Sequence, residues 1–330
     1  MESEFRRAFK NSKTEEEIRE VNLTWEDTLA QCKKQNDHEK YDYFTNFSKE
    51  KLVQHIKGDL KDDDNMVDNL YNLIIRMANL TTYIEHQFVD ENEKDEQEKH
   101  KRVCGTGFIQ RIRHKKGEIC QCKSCENPEN EKAKKWAIFT VTSVHHVVQR
   151  LQNNMGSSEV RLFYDTTDSL TWKTLDILKV QDTDKDGEYD WCAIQCVTHD
   201  KQIIKELQKN LSEYETLQKE IYKEVKETTR EDLQLVVITG HPHGMPKQVS
   251  IGEKKGKEVL KDVRERQEWC RYGYDTATCP GNSGSPVYIV GQPLCGFGYW
   301  FGHTHNHSTG YDAEKNEKFN FSSIGTIQLP

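Results

Sequence analysis

A long apolar run and a strongly basic region are both missing from this sequence. No stretch of the 330 residues has enough consecutive apolar side chains to cross a membrane. No apolar stretch follows the first seven residues, so we expect no secretory signal and an intracellular, cytoplasmic location. The net charge of −8 comes from about −9 in residues 1–100 and about +1 in the remainder. This distribution argues against nucleic acid as a partner, and the missing apolar run argues against a membrane.

A disulfide framework is not expected either, although the sequence contains 10 cysteines. In a chain without a secretory signal, thiols are usually reduced or bound to metal. An apolar content of 34% and a mean hydropathy of −0.90 describe a polar protein. Its length still allows a large core, and fits either two or three domains or one two-barrel fold with additions.

Residues 1–100 predict a helical domain that ends in an acidic linker over residues 90–99. The strongest signal is an apolar stripe at three- and four-residue spacing that predicts one helix of about six turns. Its members are Val67, Leu70, Leu73, Ile74, Met77, Leu80, Ile84 and Phe88. This stripe has to pack on something, so the domain lies against the rest of the chain or binds a partner protein.

Short strand patterns begin near residue 103 and are interrupted once. Residues 201–230 carry apolar side chains three and four apart on a charged segment, which predicts a long amphipathic helix. Many short strands separated by turns indicate a barrel or sandwich. We therefore expect a mainly β region from residue 101, with strands over about 101–200 and 231–330 on either side of the inserted helix.

One stretch has the composition of a nucleophile loop. Residues 279–287 read Cys-Pro-Gly-Asn-Ser-Gly-Ser-Pro-Val. A serine hydroxyl needs a neighbouring base, and a tetrahedral intermediate needs backbone N–H donors aimed at its oxyanion. Gly281 can adopt the backbone angles that turn its own N–H and that of Ser283 toward one point. The alternative is an ordinary Gly/Ser/Pro turn before a strand.

A histidine, an aspartate and this serine follow one another in the order His, Asp, Ser, each beside a predicted strand. The region from about residue 103 to 330 thus resembles the PA-clan, trypsin-like serine peptidases, and within them the non-secreted HtrA/Deg-like branch. The resemblance rests on five motifs, at residues 105–109, 143–148, 190–194, 240–244 and 275–284. It implies a chymotrypsin-like double β-barrel, a serine endopeptidase acting on protein or peptide substrates, and no cofactor required for catalysis.

The resemblance also implies roles for individual residues. Ser283 attacks the scissile carbonyl, a histidine accepts its proton, and Asp190 orients the imidazole. The oxyanion hole falls on Gly281, Asn282 and Ser283. Because position 282 is Asn rather than Asp, activation through an ion pair with a new N-terminus is not expected.

Two adjacent histidines compete for the role of base. Placing His145 there aligns Thr142 with the threonine of the family motif. Placing His146 there aligns Val147 and Val148 with the motif's two valines and avoids an inward-facing imidazole at position 146. We favour His146, with His145 as the alternative.

The resemblance points to a substrate pocket and to an edge strand. Ala277, six residues before Ser283, falls at the pocket floor, where a small apolar residue favours an apolar substrate side chain. Nearby Asp275 weakens that inference. Tyr299 and Trp300 fall on the strand that pairs with an extended peptide, although ordinary barrel packing explains them equally well.

Two further clusters could bind metal. Cys120, Cys122 and Cys125 form a Cys-x-Cys-x-x-Cys pattern that could supply three thiolates to a structural zinc ion, with no clear fourth ligand. Three reduced thiols, or one disulfide, are the alternatives. The histidines at 303, 305 and 307 could share one face of a strand, but the surrounding glycines favour a solvated loop.

A second class of function fits the same sequence. The protease fold could serve as a scaffold in an adaptor or sensor whose helical N-terminal domain binds a partner. Its peptidase activity would then be weak, gated or absent. The presence of a serine, a histidine and an aspartate in the expected places favours the enzyme.

Overall fold

The computed structural model describes residues 18–20, 25–89, 91, 94, 100–126, 133–149, 157–182, 190–227, 234–264, 267–292, 303–312, 317–322 and 325–328. Six strands close into a first barrel in the order β4-β3-β6-β7-β8-β5, with β5 pairing back onto β4. A seventh, β1 (Ile18–Glu20), adds to the outside of β4. The barrel strands are β3 (Thr81–Val89), β4 (His100–Lys116), β5 (Lys135–Ser143), β6 (Ser158–Leu162), β7 (Lys173–Asp182) and β8 (Cys192–Thr198).

A second sheet curls into a half-barrel. Its strands run in the order β12-β9-β10-β11-β14-β13, with β15 on β11 and β2 on β10. They are β2 (Tyr41–Tyr43), β9 (Leu235–Gly240), β10 (Gln248–Arg264), β11 (Gln267–Tyr274), β12 (Val287–Ile289), β13 (His305–Asp312), β14 (Glu317–Ser322) and β15 (Gly325–Gln328). The predicted mainly β class and chymotrypsin-like double β-barrel are confirmed.

Helices join and cover the two sheets. They are α1 (Trp25–Ala30), α2 (Lys49–His55), α3 (Asp64–Leu80), α4 (Lys123–Glu126), α5 (His145–Val148) and α6 (Lys201–Glu227). Short 3-10 helices occupy Gln35–Lys40, Phe44–Asn46, Gly58–Asp62 and Pro242–Gly244. Ser48 and Asp63 cap α2 and α3 through side-chain bonds to Lys51 N–H and Met66 N–H. Within the described part of the chain, no helix is both long and apolar enough to cross a membrane.

The helix predicted to run from Val67 to Phe88 ends at Leu80, so the second half of that prediction is wrong. Ile84 and Phe88 lie in β3, which pairs with β4 along its whole length, from Thr81 opposite Phe108 to Val89. Thr-Thr-Tyr-Ile after Leu80 is β-branched and aromatic, a composition that suits a strand between two neighbours. Since β3 belongs to the first barrel, the predicted boundary near residue 100 falls inside that barrel.

The predicted inserted helix is confirmed as α6, and it packs lengthwise on α3. Arg76 of α3 forms an ion pair with Glu213 at 2.6 Å, and the buried amide oxygen of Asn210 accepts bonds from Arg76 and Asn79 at 3.3 Å. One hydrophobic core contains side chains of α3, of α6 and of both sheets. The apolar stripe of α3 is therefore covered by the chain itself and leaves no apolar face there for a partner.

The histidine-rich segment near residue 303 is not the solvated loop that we predicted. His305 opens β13, and both His303 and His305 are buried. His303 Nε2–H donates to Cys270 O at 3.1 Å, and His305 Nδ1–H donates to the Tyr274 hydroxyl at 2.8 Å. These bonds offset the burial of two polar rings. The side chain of His307 lies outside the described residues.

A buried lysine connects the two sheets. Lys247, which precedes β10, is fully buried and forms an ion pair with Asp165 at 2.9 Å. Its N–H donates to Tyr164 O at 2.8 Å, and its carbonyl accepts from Phe44 N–H at 2.9 Å. Burial lowers the pKa of Lys247, against the effect of Asp165. The pair thus holds the first barrel, the second sheet and the N-terminal segment at one point.

We expect Asp165→Asn to lower the free energy of unfolding by on the order of 3 kcal/mol, because it leaves the ammonium group buried without its counter-charge. Lys247→Met is the matched control, since it removes the buried charge and leaves Asp165 23% exposed and able to hydrate. The free energy of unfolding should fall clearly less for Lys247→Met than for Asp165→Asn. Urea denaturation of both variants at neutral pH measures the difference, and equal losses would contradict the role of this pair.

His303 makes stability depend on pH. Burial lowers its pKa from 6.5 to about 4. Above pH 6.5 the ring is neutral in both the folded and the unfolded chain, so its contribution to stability is complete there. As the pH falls below this value, the unfolded chain takes up a proton that the folded chain excludes until about pH 4. In that window, this residue should lower the free energy of unfolding by about 1.4 kcal/mol per pH unit.

The substitution His303→Gln should remove that part of the pH dependence, since Gln can still donate to Cys270 O but does not titrate. Urea denaturation of both proteins at several pH values between about 7 and about 4 measures the two slopes. Parallel slopes would show that His303 does not titrate as its burial requires.

Candidate active site

The pairing of β5 with β8 brings His146 and Asp190 together. Ser143, the last residue of β5, lies opposite Cys192, the first residue of β8. The residues just after β5 and just before β8 therefore leave the barrel at the same edge. His146 lies on the short helix α5, three residues past Ser143, and Asp190 lies two residues before Cys192.

The contact between them is close and involves both carboxylate oxygens. His146 Nδ1 is 3.0 Å from Oδ1 and 2.9 Å from Oδ2 of Asp190. The backbone N–H of His146 donates to the same carboxylate at 3.2 Å. Asp190 has a φ of +44°, which short polar side chains tolerate better than others. A carboxylate placed this way fixes Nδ1 as the protonated nitrogen and leaves Nε2 to act as a base.

The structure pairs His146, and not His145, with Asp190. His145 is the first residue of α5 and is partly exposed, whereas His146 is buried. Among the described residues, His146 Nε2 has no hydrogen-bond partner, so the bond from the Ser283 hydroxyl is not formed here. Such bonds are often long in the absence of substrate and shorten when it binds.

Residues 279–282 form a type II turn whose sequence explains its shape. Pro280 occupies the second position, where its fixed φ is favourable, and Gly281 the third, where φ is +95°. Asn282 N–H closes the turn on Cys279 O at 3.0 Å. Asn282 was predicted to contribute to the oxyanion hole, but this bond occupies its N–H, which leaves Gly281 and Ser283 as the donors.

Two carbonyl bonds set the direction of those donors. Pro280 O accepts from His243 N–H at 2.6 Å, and Asn282 O accepts from Ser285 N–H at 2.9 Å. In a planar trans peptide the N–H points opposite to the C=O. The N–H groups of Gly281 and Ser283 are therefore turned away from these acceptors, and neither has a hydrogen-bond acceptor among the described residues. Two oriented, unoccupied donors are what an oxyanion hole requires.

Thr106 of β4 fastens this turn to the first barrel. Its N–H donates to Ser283 O and its hydroxyl to Gly281 O, both at 2.8 Å. The approach leaves no room for side chains: a Cβ on Gly284 would lie 2.0 Å from Thr106 O. A Cβ on Gly105 would lie 2.6 Å from Val147 and 3.1 Å from Ser283 O. The segment with His146 and the turn with Ser283 therefore pack on the same glycine.

The predicted pocket residues are only partly described. Ala277 is buried, with its carbonyl accepting from the Ser250 hydroxyl at 2.9 Å. The Asp275 carboxylate, which weakened the inference of an apolar pocket, accepts from Glu253 N–H at 2.6 Å and pairs with Lys255 at 2.7 Å. Tyr299 and Trp300 lie outside the described residues.

The three predicted cysteine ligands meet a histidine. Cys120, Cys122 and Cys125 are buried, and with His199 their ligand atoms all lie within 4.8 Å of one another. His199 Nδ1 is 3.2 Å from Cys122 Sγ and 3.5 Å from Cys125 Sγ. Burial raises the pKa of Cys120 to about 12. Three thiols and one imidazole match a closed Cys₃His zinc site.

Sequence reasoning missed His199 because 74 residues separate it from Cys125. His114 and Cys104 lie nearer to the three cysteines in sequence, but neither belongs to this cluster. The signal that could have identified His199 is its place directly after β8, the neighbour of β5. Trp136 and Ile138 of β5, with Val197 of β8, pack against the cysteines.

Comparisons with known proteins give matches at the level of structure only. No protein-family profile and no curated protein sequence matches the chain. Among solved structures, a variant of the HtrA-type protease AlgW with a decapeptide is 12% identical and superposes with a TM-score of 0.36. That match covers 79% of this chain and 62% of the AlgW chain, so this chain spans less than two thirds of AlgW.

A second match is the Rv3671c protease from M. tuberculosis in its active form, with 14% identity and a TM-score of 0.37. It covers 79% of this chain and 82% of that one. TM-scores this low carry no conclusion about activity. The resemblance to trypsin-like serine peptidases is confirmed as a resemblance of fold, by the double barrel itself.

Proposed function

We propose that this chain is a serine endopeptidase that hydrolyses peptide bonds in protein or peptide substrates. The observation that carries the proposal is the contact of His146 Nδ1 with both carboxylate oxygens of Asp190, at 3.0 and 2.9 Å. The segment that carries His146 and the segment that carries Ser283 both pack on Gly105, and Gly281, two residues before Ser283, has a positive φ. A base, its orienting carboxylate and a nucleophile with two backbone donors are the parts that acyl transfer needs.

The reaction follows from these positions. His146 Nε2 takes the proton of the Ser283 hydroxyl as Oγ attacks the scissile carbonyl carbon. The carbonyl oxygen becomes an oxyanion and accepts bonds from Gly281 N–H and Ser283 N–H. Asp190 stabilises the imidazolium, which then protonates the leaving amine as the C–N bond breaks. Water, deprotonated by His146, hydrolyses the acyl-enzyme and restores the Ser283 hydroxyl.

An apolar substrate side chain is the preferred occupant of the pocket. Ala277 at its floor carries no charge, and the Asp275 carboxylate is already paired with Lys255. A buried Lys or Arg of a substrate would therefore lose its hydration without gaining a counter-charge.

The same proposal includes a structural zinc ion held by Cys120, Cys122, Cys125 and His199. Lys123 N–H, between the ligands, donates to Asp176 at 3.0 Å, so the hairpin that carries the cysteines is fixed to β7. The ion would take no part in catalysis. It would replace thiol protons and hold this hairpin to the barrel.

A fluorophosphonate probe, which labels activated serines, tests the proposed function. Ser283→Ala should abolish both labelling and peptide cleavage with little change in melting temperature. His146→Ala should lower kcat by about four to six orders of magnitude, as removal of a triad member does. His145→Ala is the matched control and should cost far less.

Wild-type cleavage by Ser283→Ala would overturn the proposal. A larger loss for His145→Ala than for His146→Ala would transfer the role of base to His145. A wild-type protein that neither reacts with the probe nor cleaves a peptide library would favour the adaptor or sensor.

Metal analysis of protein purified without chelator tests the zinc ion. Cys122→Ser should lower the zinc content by one equivalent relative to wild type and lower the melting temperature, because metal binding is coupled to local folding. Cys104→Ala, at a buried cysteine outside the cluster, should leave the zinc content unchanged. Equal zinc in Cys122→Ser and wild type would show that these cysteines hold no zinc ion.

A further inference from the structure

A second group of possible metal ligands lies at the turn of residues 279–282, which directly precedes Ser283. Cys32 follows α1, His38 lies in the 3-10 helix Gln35–Lys40, His243 lies in the 3-10 helix Pro242–Gly244, and Cys279 begins the turn itself. One ligand atom from each of the four lies within 4.8 Å of all the others. Cys32 and His38 come from the N-terminal region, and His243 and Cys279 come from connections between strands of the second sheet. No sequence spacing therefore reveals the group.

The distances suit a shared ion rather than a covalent bond. Cys32 Sγ and Cys279 Sγ are 3.9 Å apart. Two thiolates on one tetrahedral zinc, each with a Zn–S bond of about 2.3 Å, are separated by roughly 3.8 Å. A disulfide would require about 2.05 Å. The rings of His38 and His243 have centroids 5.3 Å apart and planes at 74°, an arrangement in which one nitrogen of each can face the same point.

The chemistry of the four groups selects the metal. Two thiols and two imidazoles are the ligands of closed structural zinc sites, whereas calcium and magnesium require oxygen. Two thiolates also balance the charge of Zn²⁺. His38 Nε2 is a buried atom with no hydrogen-bond partner among the described residues. A buried polar atom of this kind needs a partner, and a metal ion supplies it.

Neighbouring donors support the two sulfur atoms. Lys34 N–H donates to Cys32 Sγ at 3.3 Å. The Tyr41 hydroxyl donates to the Cys279 sulfur and accepts from Asn282 Nδ2 at 3.0 Å. Hydrogen bonds to the ligands are a regular feature of metal sites, because they orient the ligands. Through Tyr41, Cys279 is connected to Asn282, the residue directly before Ser283.

We propose that Cys32, His38, His243 and Cys279 form a tetrahedral zinc site that fastens the N-terminal residues 32–38 to the turn at residues 279–282. Cys279 is the first residue of this turn, and the backbone of His243 holds Pro280 O. The ion therefore holds the turn through Cys279 and through His243. It keeps in place the Pro280–Gly281 peptide, which sets the direction of Gly281 N–H. Without it, the N-terminal segment and the turn lose a shared anchor.

Metal analysis of the full chain in the Cys122→Ser background tests the site, because the other cluster is then removed. This protein should retain one equivalent of zinc. Adding either Cys32→Ser or His38→Gln should remove it, whereas adding His55→Gln, at a histidine outside both clusters, should not. Cobalt substituted into the Cys122→Ser protein should give the spectrum of a tetrahedral ion with two sulfur ligands.

Three results would overturn the site. The Cys122→Ser protein could contain no zinc, its zinc could be unaffected by Cys32→Ser and His38→Gln, or mass spectrometry without reductant could find a Cys32–Cys279 disulfide. If Cys32→Ser does not fold, His38→Gln decides, since His38 is partly exposed and its replacement disturbs little packing.

The effect of the ion on the turn is tested separately, and this part rests on the proposed function. His38→Gln in the otherwise wild-type chain should lower kcat while KM changes little, since the oxyanion donors act mainly in the transition state. Zinc loss with an unchanged kcat would overturn the connection to the turn. A protein without any peptidase activity would refute the proposed function and leave the metal measurement valid.

Discussion

The bonds made by Thr106 are the constraint on which the candidate site depends. This fully buried residue uses all its polar atoms. Its N–H donates to Ser283 O and its hydroxyl donates to Gly281 O. The same hydroxyl accepts from His241 N–H, and the Thr106 carbonyl accepts from the Ser143 hydroxyl. One residue of the first barrel thus orients the turn of the second sheet and the end of β5. Each bond contributes only about 1 kcal/mol net, but an unsatisfied buried partner costs more. Loss of any one of these bonds would therefore cost more than the bond itself contributes.

The helices pack into the same hydrophobic core as the two sheets. Side chains of α3 and α6 share one core with both sheets, and β2 and β3 of the N-terminal region are strands of the second sheet and the first barrel. Tyr41, the first residue of β2 and opposite Ser250 of β10, also contacts the turn, because its hydroxyl accepts from Asn282 Nδ2 at 3.0 Å. Residues of the N-terminal region therefore support the turn that directly precedes Ser283.

Buried polar groups hold the second sheet together where apolar side chains are few. Arg271 and Glu258 pair across β10 and β11 at 2.7 Å, and His303, His305 and Tyr274 bond to backbone or to each other. This explains why the histidine-rich stretch near residue 303 was mistaken for a solvated loop. His303 and His305 are polar in sequence but buried in the folded chain.

Local sequence determined the parts of this protein whose physics is local. Pro280 and Gly281 require a type II turn, the spacing of the α6 apolar residues requires an amphipathic helix, and β5 and α5 place His146 just past a strand end. Tertiary structure alone decided where α3 ends, since pairing with β4 converts residues after Leu80 into a strand. It alone also brought His199 to three cysteines, and Cys32 and His38 to His243 and Cys279. Ligands that are distant in sequence meet only through strand register and packing, which no local pattern encodes.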